Sequence, residues 1–185
     1  MTAPSARPIV VCLMVLAGCA LAASPAVSLV RGSDALPRGS GAEIQPADGG
    51  GWIVVPSPQA RYPGIEWRPT APWNLAACSA LVARVANLSD APLRVSLRLD
   101  DATTVRRAPA LQRQIELAPR ATGEIAVTFT TRPYDTDHPL HLIGMRGWPG
   151  QWTVDRSQTA RCLIFGDPRT NAIFAVLDVT ALGAL

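Results

Sequence analysis

Side chains that alternate in character with a period of two limit what this chain can fold into. In "LRVSLRL", Leu93, Val95, Leu97 and Leu99 fall on one face and Arg94, Ser96 and Arg98 on the other. Successive β side chains point to opposite sides of a sheet, so this spacing predicts a strand with one buried face. "EIAVTFT" repeats the pattern, with Ile125, Val127 and Phe129 set against Glu124, Thr128 and Thr130, and "IFAVLDV" places Ile173, Ala175, Leu177 and Val179 opposite Asp178. "GWIVV", "SALVARVAN" and "ARCLIFG" read as further strands with apolar character on both faces. Polar turns separate the runs, "NLSDAP" at 87–92, "APRATG" at 118–123 and "GDPRTN" at 166–171. No long stretch keeps a helical period, and no internal repeat is visible. Short amphipathic strands without a helical layer predict an all-β fold, an antiparallel β-sandwich whose two sheets bury each other's inner faces.

A length of 185 residues allows one ordinary domain and a tail. At the N-terminus, Arg7 precedes an apolar run at positions 9–22, which matches a secretory signal and is short for a membrane-spanning helix. Within it, Leu16-Ala17-Gly18-Cys19 resembles a bacterial lipobox, which implies a lipid on Cys19 and cleavage before it. The competing site is Ala20-Leu21-Ala22, where ordinary signal cleavage would act. Residues 20–51 are rich in Ala, Ser, Gly and Pro without periodicity, as in a tether. The expected division is a lipoprotein-type signal peptide at 1–18, a flexible tether at 19–51 and the sandwich at 52–185. A lipid on Cys19 makes the membrane a partner and the cell envelope, outer membrane or periplasm, the expected location.

The formal charge is +3, and all 17 basic residues are arginine. They are scattered, with only Arg106 and Arg107 adjacent, so no nucleic-acid footprint is expected. Cys12 lies in the apolar leader, which leaves Cys78 and Cys162. An exported pair permits a disulfide, worth on the order of 4 kcal/mol for so long a loop. Two buried thiols on neighbouring strands fit the same sequence.

The order of features resembles the N-terminal jelly-roll module of β-agarase-type glycoside hydrolases, itself similar to galactose-binding-like and carbohydrate-binding-module folds. The residues that carry the resemblance are Trp73, the apolar run ending at Asn87, "VSLRLDD" at 95–101, "LIGMRGWPG", "VDRSQTARCLIF" and "FAVLDV". The resemblance implies a jelly roll, a framework role for Trp73 and a polysaccharide ligand, galactan- or agarose-like. In those enzymes a catalytic barrel follows, whereas the sequence here ends at Leu185, so a non-catalytic module is expected. Related modules often carry paired acids in the last strand for a structural calcium. Here "VLDV" puts Leu177 where one acid would stand, leaving Asp178 as the single metal candidate and no cofactor expected.

Other groups offer less. Asp100 and Asp101 are adjacent in a strand and point to opposite faces, so they do not flank one glycosidic bond, and a solvated strand end is the expectation. Asp135, Asp137, His138 and His141 lie between Pro133 and Pro139 or just beyond, where turn chemistry explains the aspartates. Of the five tryptophans, Trp148 and Trp152 stand in the Pro-Gly loop "WPGQW", and with Arg146 they form the expected ligand contacts. Trp52, Trp67 and Trp73 compete as core residues. Two rival functions remain: a structural or protein-interaction module, and a glycoside-hydrolase-associated protein with an unrecognised catalytic site.

Overall fold

The computed structural model describes residues 27–29, 35–102, 111–129, 154–167 and 171–183. Eleven strands form among them: β1 (Val27–Ser28), β2 (Pro37–Ser40), β3 (Ala42–Pro46), β4 (Trp52–Pro56), β5 (Gly64–Trp67), β6 (Cys78–Asn87), β7 (Leu93–Asp101), β8 (Leu111–Leu117), β9 (Thr122–Thr128), β10 (Thr159–Gly166) and β11 (Phe174–Gly183). A single 3-10 turn, Arg156–Gln158, precedes β10. The first sheet runs β3-β4-β11-β6-β9, with β1 also on β11, and the second runs β2-β5-β10-β7-β8. Every pairing is antiparallel.

The core lies between the sheets. The second sheet contributes Ile65, Leu93, Val95, Leu97, Leu99 and Ile164, and the first Val54, Leu81, Val85, Ile125, Phe174 and Val176. Alternation in β7 and β9 holds as the sequence reads it, with Leu93 to Leu99 at every second position fully buried and Ile125, Val127 and Phe129 inward.

β11 corrects the sequence reading. Its first half turns Phe174 and Val176 inward and leaves Ile173 exposed. The register then shifts, since Val176 pairs with Val85 and Asp178 with Arg84, so Leu177 is the extra residue of a bulge. Beyond the bulge Val179 and Ala181 face inward. A bulge inserts one residue and reverses the parity of the strand, so a strict period of two predicts only half of it.

The segment read as a tether is the second correction, because β1, β2 and β3 lie within 19–51. β2 pairs with β5 and β3 with β4, and Leu29 and Ala35 are buried in the core. β2 and β3 are edge strands, where proline is tolerated because one side of the backbone needs no sheet partner. Their glycines make turns instead of slack: Gly41, Gly49, Gly50 and Gly51 all hold positive φ. β5 and β8 also went unread in the sequence; β5 is short, and in β8 Arg113 interrupts the apolar side formed by Leu111, Ile115 and Leu117.

Cys78 and Cys162 stand unbridged in the structure, and they are not on neighbouring strands. Cys78 opens β6 in one sheet, while Cys162 sits in the middle of β10 in the other, buried in register with Trp67 and Leu99.

Candidate functional site

Arg146, Trp148, Trp152, Asp135, Asp137, His138 and His141 lie outside the described residues. The residues on either side of that segment meet at one end of the sandwich. The Arg156 guanidinium stands 5.5 Å over the Phe129 ring and donates from Nη1 to the Cys78 carbonyl at 3.1 Å. Asp155 caps the 3-10 turn by accepting from the Ser157 amide, and its own amide donates to Asp101 Oδ2 at 2.8 Å. Trp73 exchanges both backbone bonds with Thr159. The "VDRSQ" motif is therefore a clasp that holds the chain where it re-enters the sheet.

The described tryptophans belong to the framework. Trp67 is fully buried, and its indole N–H has no hydrogen-bond partner among the described residues. Trp52 and Trp73 are half-buried against the same core.

Asp100 and Asp101 do point to opposite faces, yet neither is solvated as expected. Both are buried, at 3% and 2% exposure. Asp101 serves the clasp. Asp100 accepts from Arg98 Nε at 2.8 Å and lies 3.3 Å from Arg161 Nη1 on the outer face of the second sheet. A buried carboxylate needs such partners, because leaving a charge unpaired in a poor dielectric costs several kcal/mol (~3–5).

Two outer surfaces have the polar chemistry of a binding site. On the first sheet, a cleft of about 580 Å³ is lined by Ser28, Asp48, Arg84, Glu124, Asp178 and Thr180, among others. Its wall is the β3–β4 hairpin, where Gly51 passes so close to the β11 bulge that a Cβ there would meet the Val176 carbonyl. Asp178 accepts from Ser28 Oγ at 2.8 Å and from Thr180 Oγ1 at 2.7 Å, and it is in register with Arg84, which is in register with Glu124. These hydroxyls hold both Asp178 oxygens, and among the described residues no group of three or more His, Cys, Asp or Glu could hold a metal ion. Asp178 is thus an oriented acceptor in a cleft.

On the second sheet the outer face centres on Leu163 and Phe165. Leu163 is in register with Glu66 and Arg98, and Phe165 with Gly64 and Ser96. Phe165 meets Tyr62 edge to face at 5.7 Å, and Tyr62 is 48% exposed with the Arg61 guanidinium 5.6 Å from its ring centroid. Ion pairs run across three strands: Arg68 with Glu66 at 3.1 Å, Glu66 with Arg161 at 2.9 Å, Arg161 with Asp100, and Asp100 with Arg98. The Arg161 Nε contact is electrostatic, since its N–H is not aligned for a hydrogen bond. The sequence reading weighed only tryptophans as stacking groups and passed over this aromatic pair, whose members come together only through the fold.

Two antiparallel sheets in this strand order define a jelly-roll β-sandwich. No family model and no curated protein matches the sequence. Among solved structures the fold is similar to part of an exo-β-agarase (TM-score 0.58, 12% identity, 80% of this chain and 23% of that one) and of the agarase AgWH50C (0.60, 10%, 86% and 25%). The chain therefore spans about a quarter of the agarases it matches. It is also similar to the low-affinity xylan-binding module CBM86 from Roseburia intestinalis, with TM-score 0.50 and 12% identity over 87% of this chain and 96% of that one. A family 29 carbohydrate-binding module solved with cellohexaose gives 0.51 at 9% identity, over 86% and 92%. The resemblance to agarase and carbohydrate-binding-module jelly rolls thus holds at the level of fold.

Proposed function

We propose that this protein is an exported, non-catalytic carbohydrate-binding module that holds a polysaccharide, galactan- or agarose-like, at the cell envelope. One observation carries the reading: most of this chain matches almost the whole of a low-affinity xylan-binding module, 87% against 96%. The agarase matches support a galactan as the polymer. Trp148, Trp152 and Arg146, which lie outside the described residues and which the sequence sets in and beside "WPGQW", supply the proposed contacts, through aromatic faces for sugar C–H surfaces and a guanidinium for hydroxyls.

Affinity gels containing agarose, xylan or a soluble cellulose derivative test this. Agarose should retard the protein most. Trp148→Ala and Trp152→Ala should lose the retardation with little change in stability, since substitutions of exposed residues usually stay within about 0.5 kcal/mol. The agarase matches, in which the fold is a quarter of a longer chain, also favour a second reading, a module that only supports a neighbouring domain. Failure of every polysaccharide to retard the wild type would select that reading.

Anchoring rests on Leu16 to Cys19 alone. Mass analysis of the mature N-terminus should find lipid on Cys19, and Cys19→Ser should release the protein from membranes. An unmodified terminus at Ala23 would overturn the anchor.

A further inference from the structure

We propose that the outer face of the second sheet is a separate binding surface for anionic polysaccharide, a chain carrying sulfate esters or carboxylates. The inference rests on the polysaccharide reading and adds a site and a charge class to it. What carries it is the layering of charge on this face. Its arginines reach outward while their carboxylate partners sit beneath: side-chain exposure is 52% for Arg68 against 13% for Glu66 and 36% for Arg98 against 5% for Asp100. Arg38, in register with Glu66 at the sheet edge, and Arg61, beside Tyr62, are exposed as well. The rim on β8 is the exception, where Arg94, at 51%, lies 3.6 Å from Glu116, at 64%, and 3.8 Å from Asp167, at 23%.

Away from that rim, solvent and any ligand therefore meet guanidinium before carboxylate. Each guanidinium has five N–H donors in a planar fork, and Arg98 spends only Nε on Asp100. The fork matches the paired oxygens of a sulfate or carboxylate. Between the cations, Leu163 and Phe165 provide an apolar floor, and half-exposed Tyr62 adds an aromatic surface and a hydroxyl at one end. The first-sheet cleft has the opposite character, with Asp48, Glu124 and Asp178 around one arginine, Arg84. An acidic chain is repelled there and attracted to the second sheet.

The test uses the exported chain in affinity gels containing agarose, the sulfated galactan carrageenan, or polygalacturonate, at ~0.02 M and ~0.5 M salt. Carrageenan and polygalacturonate should bind at least about tenfold more tightly than agarose at low salt and lose that advantage at high salt. Combined Arg38→Gln and Arg94→Gln, which leave the buried Asp100 pairs intact, should weaken acidic-chain binding by about tenfold, two exposed charges at up to ~1 kcal/mol each. Arg120→Gln, in the exposed turn pair with Asp90, should leave it unchanged. Full affinity in the double variant, or equal binding of charged and neutral galactan at low salt, would overturn this site and leave the polysaccharide reading standing. Retardation by none of the three polymers would overturn the polysaccharide reading, and this site with it.

Discussion

Asn87 illustrates what a buried polar side chain contributes at the turns of this sandwich. Its Nδ2 donates to the carbonyls of Ala91 at 2.8 Å and Ala118 at 3.0 Å, while Oδ1 accepts from the Ser89 amide at 3.0 Å. One side chain thereby satisfies backbone groups of two neighbouring loops, groups that would cost about 1–3 kcal/mol each if buried and unpaired. Cys162 is the contrasting case, a buried thiol with no such task. Burial, and next the charge of Asp100, push its pKa from 9.0 up to about 12, against the opposing pull of Arg161. Above pH 9 the unfolded thiol ionises while the folded one keeps its proton, so the folded state binds more protons and stability falls as pH rises. The contribution is fully present below pH 9 and is lost between there and about 12. Urea midpoints measured from about pH 8 to pH 11 should therefore drop more steeply for the wild type than for Cys162→Ala. Parallel curves for the two proteins would show that the thiol already titrates normally in the fold.

Among the elements, the hairpin joining β3 to β4 and the bulge in β11 depend on each other. Gly51 holds φ +89°, and a Cβ there would also lie 2.9 Å from the Leu177 Cα, so the hairpin packs down only with a glycine at this position. Gly49 has a similar φ of +83° but open space around it. Gly49→Ala should therefore cost only the left-handed backbone strain, about 1–2 kcal/mol, while Gly51→Ala should cost clearly more, by steric displacement of the bulge. Equal losses in chemical denaturation would mean that the hairpin does not press on β11. This pairing also marks the limit of sequence reading. β7 and β9 were legible because each keeps one side dry along its whole length, and period two is all that such a strand requires. β11 switches parity at Leu177 and was legible for half its length. The surface candidates fared differently: Tyr62 and Phe165, or Glu66, Arg161 and Asp100, sit far apart in the chain and become one surface only through the β5-β10-β7 order, which no local pattern encodes. The "VDRSQ" and Asn87 motifs stood out in the sequence because they are structural necessities of this sandwich, and for that reason they say more about fold than about ligand.

For the molecule as a whole, the decisive question is where the folded unit begins. Composition places the start at Trp52, because Gly, Pro and Ser in 19–51 look like linker. In the structure, β2 covers β5 through four register pairs and β3 covers β4 through five, so each sheet has its outermost strand in that segment. Leu29 and Ala35 are buried in the core, and Ile44 packs against it. A protein starting at Trp52 would lose these side chains and turn β4 and β5 into bare edges with Ile53, Val55 and Ile65 along them, an open template for pairing with other chains. Residues 52–185 alone should therefore unfold at lower urea than residues 23–185, by at least about 3 kcal/mol from Leu29 and Ile44 burial together. They should also elute partly as higher oligomers in size-exclusion chromatography, while the longer protein elutes as one species. Restoring 35–51 without the β1 segment should recover the single species and most, but not all, of the stability, because β1 adds only two register pairs on β11 and the buried Leu29. Identical midpoints and elution for 52–185 and 23–185 would return the segment to the role of a tether and leave the sandwich complete without it.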